Sequence, residues 1–286
     1  MPEDSSTGQV VPAEDLARLR SVAVTVAGQA AALVAGMREA AVRDVDTKST
    51  ETDVVTAADR AAERLIRARL AELRPGEPVL GEEEGGAGPG DGVCWVVDPI
   101  DGTVNYLYGL PWYAVSVAAQ LHGQTIAAGI VEPPSGRVWS AARGMGATLG
   151  RAEEHTWRPL RVSGATRLAV ALVGTGFSYS VQRRAWQSRL AGELASKARD
   201  LRRGGSAVLD LCSVAAGWLD GYVEHGLAPW DWAGGALVAA EAGAVLRLPS
   251  ADGSDPDGLG ADATIAAAPG VATALREVVR AVVATG

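Results

Sequence analysis

The chain has 286 residues, 48% hydrophobic and 21% charged, with a formal net charge of -8. That length supports one large domain or two medium ones, each with a sizeable core. The acidic balance argues against an extended nucleic-acid footprint, which needs a basic face, so nucleic acid is not expected as the main partner.

Met1 to Asp15 is acidic and carries Ser and Thr, the opposite of a signal-peptide start. From Ala13 to Val42 the residues Leu16, Leu19, Val22, Val26, Ala30, Leu33 and Met37 recur at three- and four-residue steps, which predicts a long amphipathic helix. Its apolar run, Val22 to Gly36, is short for a bilayer and interrupted by Thr25 and Gln29, so a buried helix is expected rather than a membrane span. Arg43 to Asp53 is polar and aperiodic, an exposed loop in which Lys48 is a candidate cation for a phosphate, although a solvated lysine is the commoner case. Helix periodicity resumes from Val54 to Leu73, with Thr56 a candidate cap and Asp59 three residues on.

After Pro75 a short apolar strand runs into Gly81 and three consecutive glutamates, Glu82, Glu83 and Glu84, followed by a Gly-rich loop over Gly86 to Gly92. Then comes the stretch with the densest chemistry, Trp95-Val96-Val97-Asp98-Pro99-Ile100-Asp101-Gly102-Thr103. Cys94 to Val97 reads as a buried strand that Pro99 stops, because proline lacks the N–H a ladder needs. Asp98 and Asp101 then sit close enough to repel unless a cation lies between them. A hard divalent ion suits, since it takes carboxylate and backbone carbonyl oxygens such as that of Ile100. Asp101 is also expected to cap a helix opened by Gly102 and Thr103, whose N–H groups would face an anion. On their own these residues also read as ordinary strand-to-helix punctuation.

Segments 112–123, 125–134 and 136–144 predict an antiparallel meander ending in a short strand at Ala147 to Gly150. A first region of two long helices on a sheet therefore spans residues 1–155, and the polar stretch 151–161 marks its end. The second, 156–286, alternates strands and helices. Within it Gly204-Gly205-Ser206 enters an apolar helix, and Pro229-Trp230-Asp231 opens another whose Gly234 and Gly235 permit close approach by a neighbour. Glu224 precedes that helix. His122, His155 and His225 share no ligand spacing and are expected at the surface or in turns. Cys94 and Cys212 lack CxxC partners, which disfavours a disulfide framework and makes a reducing, cytoplasmic compartment the default. No GxSxG, Walker A or HExxH motif occurs.

Taken together, GEE at 81–83, WVVDPIDGTVNY at 95–106, GGSA at 204–207 and PWDWAGG at 229–235 resemble the inositol monophosphatase family, in order and in approximate spacing over the whole chain. The resemblance implies an α+β fold of five αβαβα layers and a Mg²⁺-dependent phosphomonoesterase, with up to three ions per site and a homodimer. It implies that Glu82, Asp98 and the Ile100 carbonyl hold a first metal, with Glu83 the fallback for Glu82. Asp98, Asp101 and Asp231 would hold a second, and Glu82 with waters a third. Thr103, partnered by Asp59, would prepare the attacking water. Gly102 and Thr103 would bind phosphate, and Asp101, Ser206, Ala207, Glu224 and Asp231 would line the substrate site. The expected substrate is a small-molecule phosphate monoester, myo-inositol monophosphate first. Histidinol phosphate, fructose 1,6-bisphosphate and 3'-phosphoadenosine 5'-phosphate are alternatives, as is a non-catalytic interaction protein on the same fold.

Overall fold

A computed structural model describes residues 11–41, 45–47, 54–88, 90–151 and 156–285. Lys48 and His155 lie outside them. In chain order the elements are α1 (Ala13–Ala41), β1 (Val45–Thr47), β2 (Val54–Thr56), α2 (Ala57–Leu73), β3 (Val79–Gly81), β4 (Val93–Asp101), α3 (Thr103–Tyr108), β5 (Ala114–Leu121), β6 (Gln124–Glu132), β7 (Arg137–Ala142) and β8 (Ala147–Arg151). They continue with β9 (Thr156–Pro159), β10 (Leu172–Thr175), α4 (Val181–Lys197), β11 (Asp200–Arg202), α5 (Ala207–Ala215), β12 (Gly221–His225), α6 (Pro229–Glu241), β13 (Val245–Arg247), β14 (Ala263–Ala267) and α7 (Pro269–Val283).

Among the described residues the strands form a seven-stranded sheet ordered β3-β4-β5-β6-β7-β8-β9, a five-stranded sheet ordered β11-β10-β12-β14-β13, and a β1-β2 pair. Helices α1 and α2 cover one face of the larger sheet, and α5 and α6 fill the space between the sheets. Helices α4 and α7 close the outer face of the smaller sheet, which completes five αβαβα layers. Of the α1 stripe predicted from spacing, Leu16, Leu19, Val26 and Ala30 are buried, Val22 and Met37 are partly buried, and Val34 rather than Leu33 continues the buried face; they pack with Ile66 and Leu70 of α2 and with Val97, Val115 and Val117 of the sheet. Each large side chain so buried contributes about 1.5–3 kcal/mol relative to exposure. Helix α1 is long and apolar enough to cross a membrane by composition, yet its apolar face is the one laid on the sheet.

Three departures from the expectations have local causes. Residues 45–47 and 54–56, read as polar loop and helix start, pair as a short antiparallel ladder with Val45 opposite Thr56, too brief to show periodicity. Strand β4 does not stop at Pro99 but runs on to Asp101. Asp98 faces Ser116 and Asp101 faces Ala114, so two residues of β4 lie opposite one of β5 between these pairs. Pro99 falls in that bulge, where no ladder N–H is required. The polar stretch after Arg151 supplies β9, which extends the larger sheet to Pro159; all four of its residues are exposed, so it has no apolar face to betray it.

Helix and sheet come close together at Gly129 of β6, where an added methyl would lie 2.4 Å from Val24 N and 2.6 Å from the Ala23 carbonyl carbon, both backbone atoms of α1. Helix backbone cannot yield as a side chain can. Gly129→Ala is therefore expected to destabilise the protein by about 1–3 kcal/mol. Urea denaturation should show a lower midpoint with an unchanged slope, and a wild-type midpoint would contradict this packing of α1 on β6.

Candidate metal centre and active site

The bulge at the end of β4 does more than accommodate proline. Asp98 Oδ1 accepts the Ile100 N–H at 3.0 Å, so the carboxylate folds over Pro99 and is held by its own turn. Asp101 ends the strand, and its Oδ2 accepts the Ser206 hydroxyl at 2.5 Å and the Val208 N–H at 2.8 Å. It is thus bound by the first turn of α5 and does not cap α3. The capping position belongs to Gly102, at φ 96°, a left-handed conformation that glycine adopts without strain. Asp231 comes from the opposite direction, third in α6, with its Oδ2 accepting the Ala228 N–H at 2.7 Å. One carboxylate oxygen from each of Asp98, Asp101 and Asp231 lies within 4.8 Å of the others. Hard oxygen donors from three carboxylates, beside the Ile100 backbone on the same cavity wall, fit a divalent cation such as Mg²⁺.

These residues form one side of a cavity of about 160 Å³, whose walls also include Glu82, Gly102, Thr103, Ser206, Ala207 and Glu224. The Thr103 hydroxyl lies 3.0 Å from Asp59 Oδ1 and 3.0 Å from the Ile100 carbonyl oxygen. Asp59 is fully buried at the third position of α2, where its Oδ2 accepts the N–H and hydroxyl of the cap Thr56 at 2.8 and 2.6 Å. A capping box thus orients the carboxylate that faces Thr103. Glu82 lines the cavity, whereas Glu83 and Glu84 donate backbone N–H groups to the buried carboxylate of Glu63, at 2.7 and 3.0 Å. Ser206 reaches the cavity but is 1% exposed, with its hydroxyl given to Asp101 and accepting the Leu209 N–H. Its geometry is that of an anchor for Asp101. Ala207 offers backbone only.

Several participants were given no role by sequence reading, although Asn105 lies inside the WVVDPIDGTVNY stretch. Glu63 of α2 fixes the turn that presents Glu82, and Arg67, one helical turn on, binds Glu63 and the Val79 and Gly85 carbonyls. Only their i,i+4 spacing hinted at a pair. Asn105 donates to the Trp112 and Gly204 carbonyls, tying α3 to the turn before α5. Arg203 is the one arginine or lysine on the cavity wall among the described residues. His225, expected at the surface or in a turn, is instead 4% exposed, lines the cavity and packs edge-on against Trp186 with centroids 4.6 Å apart. A lone histidine at a strand end has no pattern to reveal its burial.

Burial pushes the Asp101 carboxyl up to about 7; the Ser206 hydroxyl and the α5 backbone pull against this, and Glu82 adds to it. Asp231 is raised well above the usual range by burial and then by Glu82 and Asp101. Asp210 is raised by burial, Asp101 and Glu224, and Glu224 by burial against the pull of the Tyr222 hydroxyl and Arg203. Burial and mutual repulsion thus raise several carboxyls around one cavity, with Arg203 opposing the shift at Asp210 and Glu224.

Comparison with known proteins decides the assignment. The family model described as the inositol monophosphatase family matches residues 15–283. The chain belongs to the inositol monophosphatase family. An inositol-1-monophosphatase of Mycobacterium leprae is 51% identical over 282 residues, covering 93% of this chain and 94% of that protein. The solved structure of Mycobacterium tuberculosis SuhB superposes with a TM-score of 0.79 at 45% identity, covering 93% of this chain and 97% of that one. A protein of Escherichia coli named Nus factor SuhB is 37% identical over 228 residues, 79% of this chain and 83% of its own length.

The raised carboxyls set a pH dependence for the metal-free family member. A carboxyl whose folded pKa lies above its unfolded value binds more protons folded than unfolded, so stability falls as pH rises between the two. For Asp101 that window runs from about 4, the ordinary value, to about 7, and Asp231, Asp210 and Glu224 act in the same direction. Melting in EDTA is expected at a higher temperature at pH 5.5 than at pH 8, with Mg²⁺ raising the pH 8 value most. A melting temperature in EDTA that rises between pH 5.5 and 8 would contradict these environments.

Proposed function

We propose that this protein is a Mg²⁺-dependent inositol-1-monophosphatase, hydrolysing a small-molecule phosphate monoester to the free alcohol and phosphate. The single observation that carries the reading is the convergence of the Asp98, Asp101 and Asp231 oxygens beside a Thr103 hydroxyl backed by Asp59, in a chain about half identical to inositol-1-monophosphatases over nearly its full length.

Glu82, Asp98 and the Ile100 carbonyl would hold one ion, Asp98, Asp101 and Asp231 a second, and Glu82 with waters a weaker third, the one that Li⁺ would displace. Bound Mg²⁺ supplies neutralisation of the phosphate and stabilisation of the leaving oxygen. The protein's own groups do the rest. With its hydrogen directed to Asp59, the Thr103 oxygen keeps a lone pair to accept a hydrogen bond from water, and Asp59 is the terminal acceptor of the displaced proton. The Gly102 and Thr103 N–H groups at the start of α3 face phosphate oxygens. Glu224 accepts hydrogen bonds from vicinal hydroxyls of the leaving alcohol, which favours a cyclitol over the other phosphates considered. Lys48 stays a candidate cation for the phosphate. We further propose a homodimer in the cytoplasm; two free, buried cysteines support a reducing compartment.

The Escherichia coli relative named Nus factor SuhB keeps a second reading in play, a non-catalytic regulatory or interaction protein on the same fold. The ligand set here supports catalysis, since each carboxylate position carries a competent residue. Turnover of myo-inositol 1-phosphate should exceed that of histidinol phosphate, fructose 1,6-bisphosphate and 3'-phosphoadenosine 5'-phosphate when the four are assayed side by side; a clear preference for histidinol phosphate would sink the cyclitol reading. Asp98→Asn should lower kcat by at least about 100-fold, the equivalent of several kcal/mol of lost metal assistance, with the circular dichroism spectrum retained. Undiminished activity in that variant would refute the site.

A further inference from the structure

The side of the cavity away from the metal ligands is built where two parallel strands part. Strands β10 and β12 pair up to Thr175 opposite Val223, where the Thr175 hydroxyl also donates to the Val223 carbonyl at 2.9 Å. Beyond that point β10 ends, while β12 continues to His225 against β14. The chain leaving β10, Gly176 to Tyr179, and the end of β12, Glu224 and His225, both line the cavity. Two backbone edges that have just lost each other's hydrogen bonds need another partner to stay aligned.

That partner is the side-chain amide of Gln187. Its Oε1 accepts the Ser178 N–H at 2.7 Å and its Nε2 donates to the His225 carbonyl at 3.0 Å. One acceptor and one donor, arranged as in a peptide group, continue the ladder across the gap. Gln187 shares the buried stripe of α4 with Leu190 and Leu194, so packing alone would favour an apolar residue. A buried amide there is tolerated because both ends are satisfied.

The gap that Gln187 spans is where Glu224 sits. Glu224 Oε2 accepts the Tyr222 hydroxyl at 2.6 Å. It also occupies the space a side chain at position 176 would need, since an added methyl on Gly176 would lie 1.7 Å from that oxygen. Any slip of the Gly176–Tyr179 segment relative to β12 therefore moves the Glu224 carboxylate. We propose that Gln187 is a positioning residue for substrate selection: by clamping Ser178 to His225 it fixes Glu224 where it meets the hydroxyls of the leaving alcohol. The proposal rests on the reading of Glu224 as the hydroxyl acceptor.

The test compares myo-inositol 1-phosphate with p-nitrophenyl phosphate, whose leaving group has no neighbouring hydroxyl. Q187L keeps the volume and removes the clamp. Its kcat/KM for myo-inositol 1-phosphate is expected to fall about tenfold, through KM, the scale of one misplaced hydrogen bond to a charged group. The loss on p-nitrophenyl phosphate is expected to be at least about fivefold smaller, a split that general damage to the fold would not produce. In an E224Q background the selective loss should vanish. Equal losses on both substrates, no loss, or additivity with E224Q would overturn the proposal while leaving the role of Glu224 intact. If E224Q alone leaves KM for myo-inositol 1-phosphate unchanged, the reading of Glu224 fails and the proposal with it. Q187E, which keeps an acceptor for Ser178 but has no donor for His225, is read by the same criteria should Q187L fold poorly.

Discussion

Three carboxylates brought to within 4.8 Å of one another repel, and much of the molecule can be understood as the apparatus that keeps them there. Each is restrained by hydrogen-bond donors from a different place: Asp98 by the Ile100 N–H of its own bulge, Asp101 by Ser206 and the opening of α5, Asp231 by the Ala228 N–H at the start of α6. None of these donors carries a full positive charge. These dipolar donors orient the acids, and the three carboxylates they bring together suit a divalent cation.

Bringing those elements to one point requires the middle layer to be thin. Helices α5 and α6 are built mainly of alanine, valine, leucine and glycine, and the two glycines of α6 face different neighbours. Gly234 lies against Ser116 of β5, where an added methyl would be 2.7 Å from the hydroxyl, and Gly235 lies against Leu211 of α5, 2.8 Å from its Cβ. Glycine inside a helix costs about 1 kcal/mol relative to alanine. Here that cost is offset by contact with both neighbours, and the same closeness brings Asp231 to the end of β4. The central core is accordingly continuous: Val96 and Trp139 of the larger sheet share one cluster with Val208 and Leu211 of α5 and Tyr222 of the smaller sheet. A cavity assembled from both sheets follows from a core that neither sheet owns.

How much of this was legible in the sequence depended on whether a residue advertised itself locally. The helices α1 and α2 did, because a buried stripe repeats every three or four residues, and Asp98, Asp101, Thr103 and Asp231 did once their motifs were read together, since each alone also passes for a turn or a cap. Asp59 was visible through its spacing from Thr56. What stayed hidden was hidden for a physical reason. The passage of β4 through Pro99 depends on the opposing strand, which shortens by one residue to make the bulge. Strand β9 is exposed throughout and has no apolar alternation. Glu63 and Gln187 act on backbone groups 9 to 38 residues away, and nothing in their own neighbourhoods distinguishes them from surface polar residues. His225 is buried by Trp186 and the segment around Leu259, contacts that exist only after folding.

The cavity has two chemically different halves, and they descend from different sheets. The larger sheet delivers Asp98, Asp101 and, beyond the end of β3, Glu82, with Thr103 on α3 just after Asp101, on a frame restrained by its own bulge, by α2 and by the start of α5. The smaller sheet delivers Glu224 from the end of β12 and the Gly176–Tyr179 segment from the end of β10, positions whose alignment depends on a glutamine borrowed from α4. Phosphate is the same in every monoester, so on the proposed reading the half that would handle it gains from rigidity. The leaving alcohol differs from one substrate to the next, and the half that would meet it is built where strands diverge and a few side chains determine the spacing. Change in the second half can redirect specificity while the carboxylate cluster stays as it is, because the hydrogen bonds that orient Asp98, Asp101 and Asp231 involve neither Glu224 nor Gln187.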